Sequence, residues 1–126
     1  MQLHLQQSAH QHLVQKVEAT QIRLNSGLQT ASFWLCPNRG PKPFVLSGLS
    51  DLTVELLDPV LADQPDILLL GTGERLRFPS AELRARILAK RVGLEVMDNA
   101  AAARTFNVLV GEHRHVQAIF LLGVLA

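Results

Sequence analysis

Pro65-Asp66-Ile67-Leu68-Leu69-Leu70-Gly71-Thr72-Gly73-Glu74-Arg75 is the stretch that decides the fold class. Its apolar run, Ile67 to Leu70, is short, unalternating and bounded by Asp66 and Gly71. A strand exposed on one face would alternate apolar and polar residues, so this run fits a strand covered on both faces, as in the middle of a parallel sheet. Gly71 and Gly73 then mark a tight exit from that strand.

Reading onward, Ser80 is placed to cap a helix with Glu82 in its first turn and Lys90 and Arg91 in its last. Leu83, Ile87 and Leu88 form its expected core face, with Gly93 as terminator. Leu94 to Met97 reads as a second short buried strand. Asp98 or Asn99 caps a third helix from Ala100 to about Val110, ended by Gly111. Past the turn Glu112 to His115, Val116 to about Val124 is the last strand. Strands joined through helices imply right-handed parallel crossovers.

Reading backward, Ser50 and Thr53 are candidate caps for a short helix through Leu57, and Pro59 either ends it or opens a further turn. Pro37 to Pro43 contains three prolines without an N–H and is expected as an exposed connection. Before it, Ile22–Leu24 and Leu28–Leu35 flank Asn25-Ser26-Gly27, the pattern of a β-hairpin. The class is therefore α/β, an N-terminal β-hairpin followed by βαβαβ-type crossovers. Residues 17–126 are expected as a single domain behind a mobile N-terminal segment, residues 1–16, rich in Gln and His.

The 126-residue length suits one core, and 48% hydrophobic with 18% charged residues is ordinary globular usage. A formal charge of +1 is too balanced for a nucleic-acid footprint. The lone Cys36 has no second thiol for an internal disulfide, which fits a reducing compartment and a cytoplasmic protein. Val116 to Ala126 falls well short of the roughly 20 residues a membrane span needs.

Chemistry in an open parallel sheet concentrates beyond the carboxyl ends of its strands, where helix N-termini converge. Gly71-Thr72-Gly73 and Asp98-Asn99-Ala100 are expected side by side there, with Arg104 one turn into the third helix. Backbone N–H groups at the glycines, with Arg75, Arg77 or Arg104, would suit a small anion. The structural alternative is that the glycines make a tight turn, Asp98 caps its helix and Arg104 pairs with Asp98 or Glu74. The third glycine of a dinucleotide fingerprint and the Gly-Lys-Ser/Thr of a P-loop are both missing, so no nucleotide cofactor is implied. His113 and His115 lie two apart in a polar turn, and His4, His10 and His12 lie near the start; neither set has metal-site spacing. Ser47 and Ser50 lack a nucleophile elbow, so no catalytic residue is singled out. Arg84, Arg86, Lys90 and Arg91 form either a solvated helix face or a dock for an acidic partner.

The stretch from Pro65 to Arg75, followed by Gly93 to Leu109 with its Met97-Asp98 pair, resembles the complex I assembly factor 3 family, small proteins of largely unknown function. The resemblance covers nearly everything after residue 16. It implies a three-layer domain with a mixed central sheet, and in eukaryotic relatives an association with respiratory-complex biogenesis. The family's recurrent positions fall on Gly71, Thr72, Gly73, Asp98, Arg104, Thr105 and Asn107. Asn99 stands where Thr is frequent and Ala103 where many relatives carry Cys, which excludes thiol chemistry at that position here. The resulting expectation is a non-catalytic adaptor or assembly-type protein whose crevice binds a small ligand or a segment of a protein partner, with Asp98 and Arg104 organising its polar floor. The alternative is a carrier or enzyme for a small anionic ligand. Both place the site at Gly71, Thr72, Gly73, Arg75, Asp98, Asn99, Arg104, Thr105 and Asn107.

Overall fold

The computed structural model describes residues 11–126, and the expected mobile segment falls largely outside them. Two sheets share the work. An antiparallel meander contains β1 (Val14–Val17), β2 (Ile22–Leu24) and β3 (Gly27–Gln29). The central five-stranded sheet contains β4 (Phe33–Cys36), β5 (Gly40–Pro43), β6 (Ile67–Gly71), β7 (Gly93–Met97) and β8 (Val116–Phe120), in the order β5-β4-β8-β6-β7. β6 runs parallel to both β7 and β8, while β4 runs antiparallel to β8 and β5, so the sheet is mixed. Helices α1 (Asp58–Ala62), α2 (Ala81–Ala89) and α3 (Asn99–Gly111) complete the domain.

The apolar run at Ile67 to Leu70 is explained by its position. Leu68 and Leu70 face α1 and α2, packing with Leu57, Val60, Leu83 and Ile87. Leu69 faces the opposite side with Ala102 and Phe106 of α3 and Ile22 and Leu24 of the meander. A strand buried on both faces has no position at which a polar side chain is tolerated cheaply, and each fully buried leucine contributes on the order of 1.5–3 kcal/mol. The layers are therefore α1 with α2, the central sheet, and α3 with the meander. β8 is likewise buried on both faces, with Gln117 as its one polar side chain and Phe120 stacked on Phe33 at a centroid distance of 5.2 Å.

Several expectations need correction. Strand β1 begins at Val14, so the ordered fold reaches across the boundary placed at residue 17. The second hairpin arm is only Gly27–Gln29, and Phe33–Cys36 belongs to the other sheet, because Ser32 turns the chain out of the meander. Its hydroxyl accepts from Leu122 N–H at 2.8 Å. The proline-rich stretch is an edge strand rather than an unpaired connection. Pro41 and Pro43 oppose Leu35 and Phe33, while Lys42 opposes Trp34 and Phe44 N–H donates to Ser32 O at 3.1 Å. The prolines thus occupy the alternate positions whose nitrogens point away from β4, where a missing N–H costs no ladder bond.

In the next segment, Leu49–Asp51 forms a 3₁₀ turn and Thr53 Oγ1 accepts from Leu56 N–H, closing a turn instead of starting a helix. Pro59 opens α1, the position at which its lost donor would have been unpaired anyway. Ser80 and Asp98 do cap α2 and α3, accepting from Leu83 and Ala101 N–H at 3.1 and 2.8 Å. Leu88 is 68% exposed, not core, since it lies about 100° round the helix from Ile87. Gly93 does not terminate α2. Arg91 takes the left-handed conformation at φ 63°, and Gly93 opens β7, where a Cβ would sit 3.1 Å from Asp66 O.

Candidate functional site

Gly71 ends β6 at the carboxyl edge of the sheet, and the chain cannot continue straight because Asn99, at the first position of α3, fills the space above it. A Cβ on Gly71 would lie 2.4 Å from Asn99 Oδ1 and 3.2 Å from Phe120. Gly73 takes φ +102°, the conformation expected for a tight exit. The turn between them is bonded to the start of α3 in both directions. Asn99 N–H donates to Gly73 O at 2.8 Å, and Gly73 N–H donates to Asn99 Oδ1 at 3.1 Å. Asn99 Nδ2 donates to Leu121 O at 2.9 Å, so one buried carboxamide joins the ends of β6 and β8 to α3.

Thr72 is fully buried and works in the same way. Its hydroxyl donates to Arg75 O at 2.6 Å and accepts from Arg77 N–H at 3.1 Å, while its N–H donates to Met97 O at 2.9 Å. The Arg77 guanidinium donates to Thr72 O and Val124 O at 3.0 and 2.7 Å, tying the C-terminal segment to the same turn. Every buried polar side-chain atom among the described residues has a hydrogen-bond partner. The floor of the crevice is therefore a closed set of internal bonds.

The remaining expected residues separate into two groups. Asn107 is a clamp: its Nδ2 donates to Val14 O at 2.8 Å and its Oδ1 accepts from Val14 N–H at 3.0 Å, satisfying the free edge of β1. Thr105 Oγ1 donates to Met97 Sδ at 3.4 Å, and Asp98 is occupied in capping α3. Arg75 and Arg104 are exposed, and neither side chain takes an ion pair or hydrogen bond among the described residues. The alternative pairing of Arg104 with Asp98 or Glu74 is thus not formed.

Three adjoining depressions run along β1 and the turn after it. One, of about 430 Å³, lies between Ala19, Thr20, Arg75, Arg77 and Gly123. The next, about 250 Å³, lies between Glu18, Glu74, Asp98 and Asn99. The third, about 330 Å³, lies between Lys16, Val17, Ala100 and Arg104. Gly71–Gly73 and Asp98–Asn99 meet as expected, but Arg104 and Asn107 face a neighbouring hollow, one helical turn further along α3.

A second polar cluster, outside the residues expected from the sequence, lies at the opposite end of the sheet. Trp34 Nε1 donates to Gln117 Oε1 at 2.7 Å, Gln117 Nε2 donates to Asp63 Oδ2 at 2.9 Å, and Asp63 pairs with Arg39. Asp63 is held below the ordinary carboxylate range, first by the Gln117 bond; burial, the next effect in size, opposes this, and the Arg39 hydrogen bond and charge add to the lowering. Arg39 and Lys42 lie 5.8 and 5.5 Å from the Trp34 ring centroids. The available signal was Gln117, a polar residue within an otherwise apolar strand.

Residues 14–121, from β1 to just past β8, match the model of a family described as protein of unknown function (DUF498/DUF598). The chain belongs to the DUF498/DUF598 family. A curated relative from Francisella tularensis, the 13 kDa major membrane protein, is 37% identical over 65 residues, 52% of this chain and 53% of that protein. The zebrafish (Danio rerio) NADH dehydrogenase (ubiquinone) 1 alpha subcomplex assembly factor 3 is 35% identical over 74 residues, 57% of this chain and 42% of its own length. The chain spans about half the length of the curated relatives it matches. Among solved structures, the Xanthomonas campestris protein XCC1710 superposes with a TM-score of 0.82 at 37% identity, covering 91% of this chain and 87% of that one. The family relationship to assembly factor 3 and the mixed α/β fold thus agree with the resemblance in the sequence. Among the described residues, no helix is long and apolar enough to cross a membrane.

Proposed function

We propose that this DUF498/DUF598 member is a non-catalytic adaptor or assembly-type protein of the cytoplasm, and that the rim of its carboxyl-end crevice receives a segment of a protein partner. One observation carries the reading: the polar groups of the crevice floor are bonded to one another. Thr72 and Asn99 already hold four backbone groups in three segments: Gly73 and Arg75 in the turn after β6, Met97 at the end of β7, and Leu121 just past β8. A ligand using them would first have to break those bonds, at about 1–3 kcal/mol for each buried group left unpaired. The rim instead offers Arg75 and Arg104 without internal partners, the first beside Ala19 and Thr20 of the β1–β2 turn and the second beside strand β1. Exposed guanidinium groups flanking shallow hollows suit a peptide surface with carboxylates. The assembly-factor relative supports a partner from respiratory-complex biogenesis.

Affinity capture with the tagged protein and an Arg75→Ala/Arg104→Ala variant tests this. Recovery of a respiratory-complex subunit by the wild type and its loss with the variant is the expected result. Equal recovery by both would remove the rim from the reading.

A second reading is favoured by the 430 Å³ hollow that Arg75 and Arg77 border, which has room for a small anionic metabolite. A compound at 100 times its dissociation constant would raise stability by ~2.7 kcal/mol. Thermal melts against nucleotides, phosphates and carboxylic acids distinguish the two, since a shift abolished by Arg75→Ala supports the small-molecule site.

A further inference from the structure

The five-stranded sheet has two edges, and they are treated differently. The β5 edge carries Pro41 and Pro43 with their nitrogens on the open side, which prevents another strand from pairing there. The β7 edge has no such protection. In the β6–β7 ladder, Gly93 N–H donates to Asp66 O and Met97 O accepts from Thr72 N–H, so the odd-numbered residues face β6. The N–H and C=O groups of Leu94 and Val96 therefore point outward, and no strand pairs with them among the described residues.

Beside this edge, Ala81, Arg84, Ala85 and Leu88 line one stripe of α2 and form a groove of about 240 Å³ with Leu94. Leu88 is 68% exposed, and Phe78, 59% exposed, lies 5.6 Å under the Arg84 guanidinium. Arg84, Lys90 and Arg91 have no carboxylate partner among the described residues, whereas Arg86 pairs with Glu55. Glu82 and Glu95 are the carboxylates on α2 and β7 themselves. The surroundings of the open edge are apolar and, on the helix side, net basic.

We propose that β7 accepts an extended segment of a partner protein as a sixth strand, one whose α2-facing side chains, every second residue, include both apolar and acidic ones. Main-chain bonds would form to Leu94 and Val96, an apolar side chain on the α2 side would enter the groove against Leu88 and Leu94, and carboxylates two residues before and after it, on that same side, would meet Arg84 and the Lys90–Arg91 turn. A second copy of this chain fits less well. Continuing the sheet antiparallel across a twofold axis would bring α2 beside its own copy and set like charges together. This surface is lateral to the crevice rim, so the proposal stands independently of the one above.

The test uses the whole chain, ¹⁵N-labelled, titrated with a short blocked peptide carrying glutamate, valine and glutamate at every second position with threonine between them, and with the counterpart that has lysine for glutamate. The acidic peptide should bind with a dissociation constant tighter than about 1 mM and slow amide exchange at Leu94 and Val96. Arg84→Glu/Lys90→Glu, at exposed positions, should keep the wild-type melting temperature and weaken binding about tenfold or more. Unchanged Leu94 and Val96 amides, or equal binding of the lysine peptide, would overturn the proposal. So would protection of those amides that rises with protein concentration alone, which would assign the edge to self-association.

Discussion

The two ends of the central sheet are closed by different chemistry. At the carboxyl end, Thr72 and Asn99 are neutral, buried and bonded almost wholly to backbone, so they hold the ends of β6, β7 and β8 against α3 whatever the pH. At the amino end, a buried neutral pair, Trp34 and Gln117, leads outward to a charged one, Asp63 and Arg39, with side chains 30% and 46% exposed. A neutral latch in a dry position is rigid, and its loss leaves orphaned backbone groups. An ion pair at the surface contributes little by itself, about 0–1 kcal/mol. The contrast locates the fold's stiffness at the same end as the candidate site, whose rim arginines consequently project from a fixed base.

The largest test of this comparison is Gly71→Val. Its side chain would displace the Asn99 carboxamide and crowd Phe120, and we expect roughly 3 kcal/mol or more of destabilisation in denaturant titration. A loss below about 1 kcal/mol would mean that the carboxyl end yields easily, and the claim of rigidity would go. Next, Asn99→Leu orphans Gly73 N–H and Leu121 O and should cost about 2–3 kcal/mol, whereas Gln117→Leu orphans chiefly the Trp34 indole N–H and should cost about 1–2 kcal/mol. The reverse order, measured by chemical unfolding, would invert the comparison.

A smaller effect separates the ends by pH. Asp63 is depressed in the folded protein, so the unfolded chain binds the extra proton and stability rises with pH across the window below its ordinary value of about 3.9. Its contribution is complete above that value and fades as pH falls through the lowered one. Wild type should therefore melt above Asp63→Asn near pH 5, with the gap narrowing toward pH 2. A gap constant across that range would show that the carboxylate charge does no work there. The smallest effect is expected for Arg104→Ala, which should leave the melting temperature within error because the side chain is exposed and unpaired. A drop comparable to Gln117→Leu would make Arg104 structural.

Legibility in the sequence followed the range of the interactions. The strand at Ile67, the caps at Ser80 and Asp98, and the strained exit at Gly73 are local patterns, and each appears where it was expected. Leu88 was misplaced because a single leucine at the edge of a helical stripe has no local sign of which side it joins. β5 was misread because a proline's tolerance depends on which of its sides faces a neighbour. Asn107 and Gln117 gained their importance from Val14 and Trp34, partners that no sequence spacing links to them.

The sequence by itself determined which segments bury both faces and where helices begin, since burial period and capping act within a few residues of one another. Only the tertiary structure decided that Asn99 occupies the space above Gly71, that Asn107 closes the edge of β1, and that one sheet edge is blocked by proline while the other stays open. Those outcomes depend on contacts between residues far apart in the chain. No local propensity encodes them, because each exists only after the core has brought its partners together.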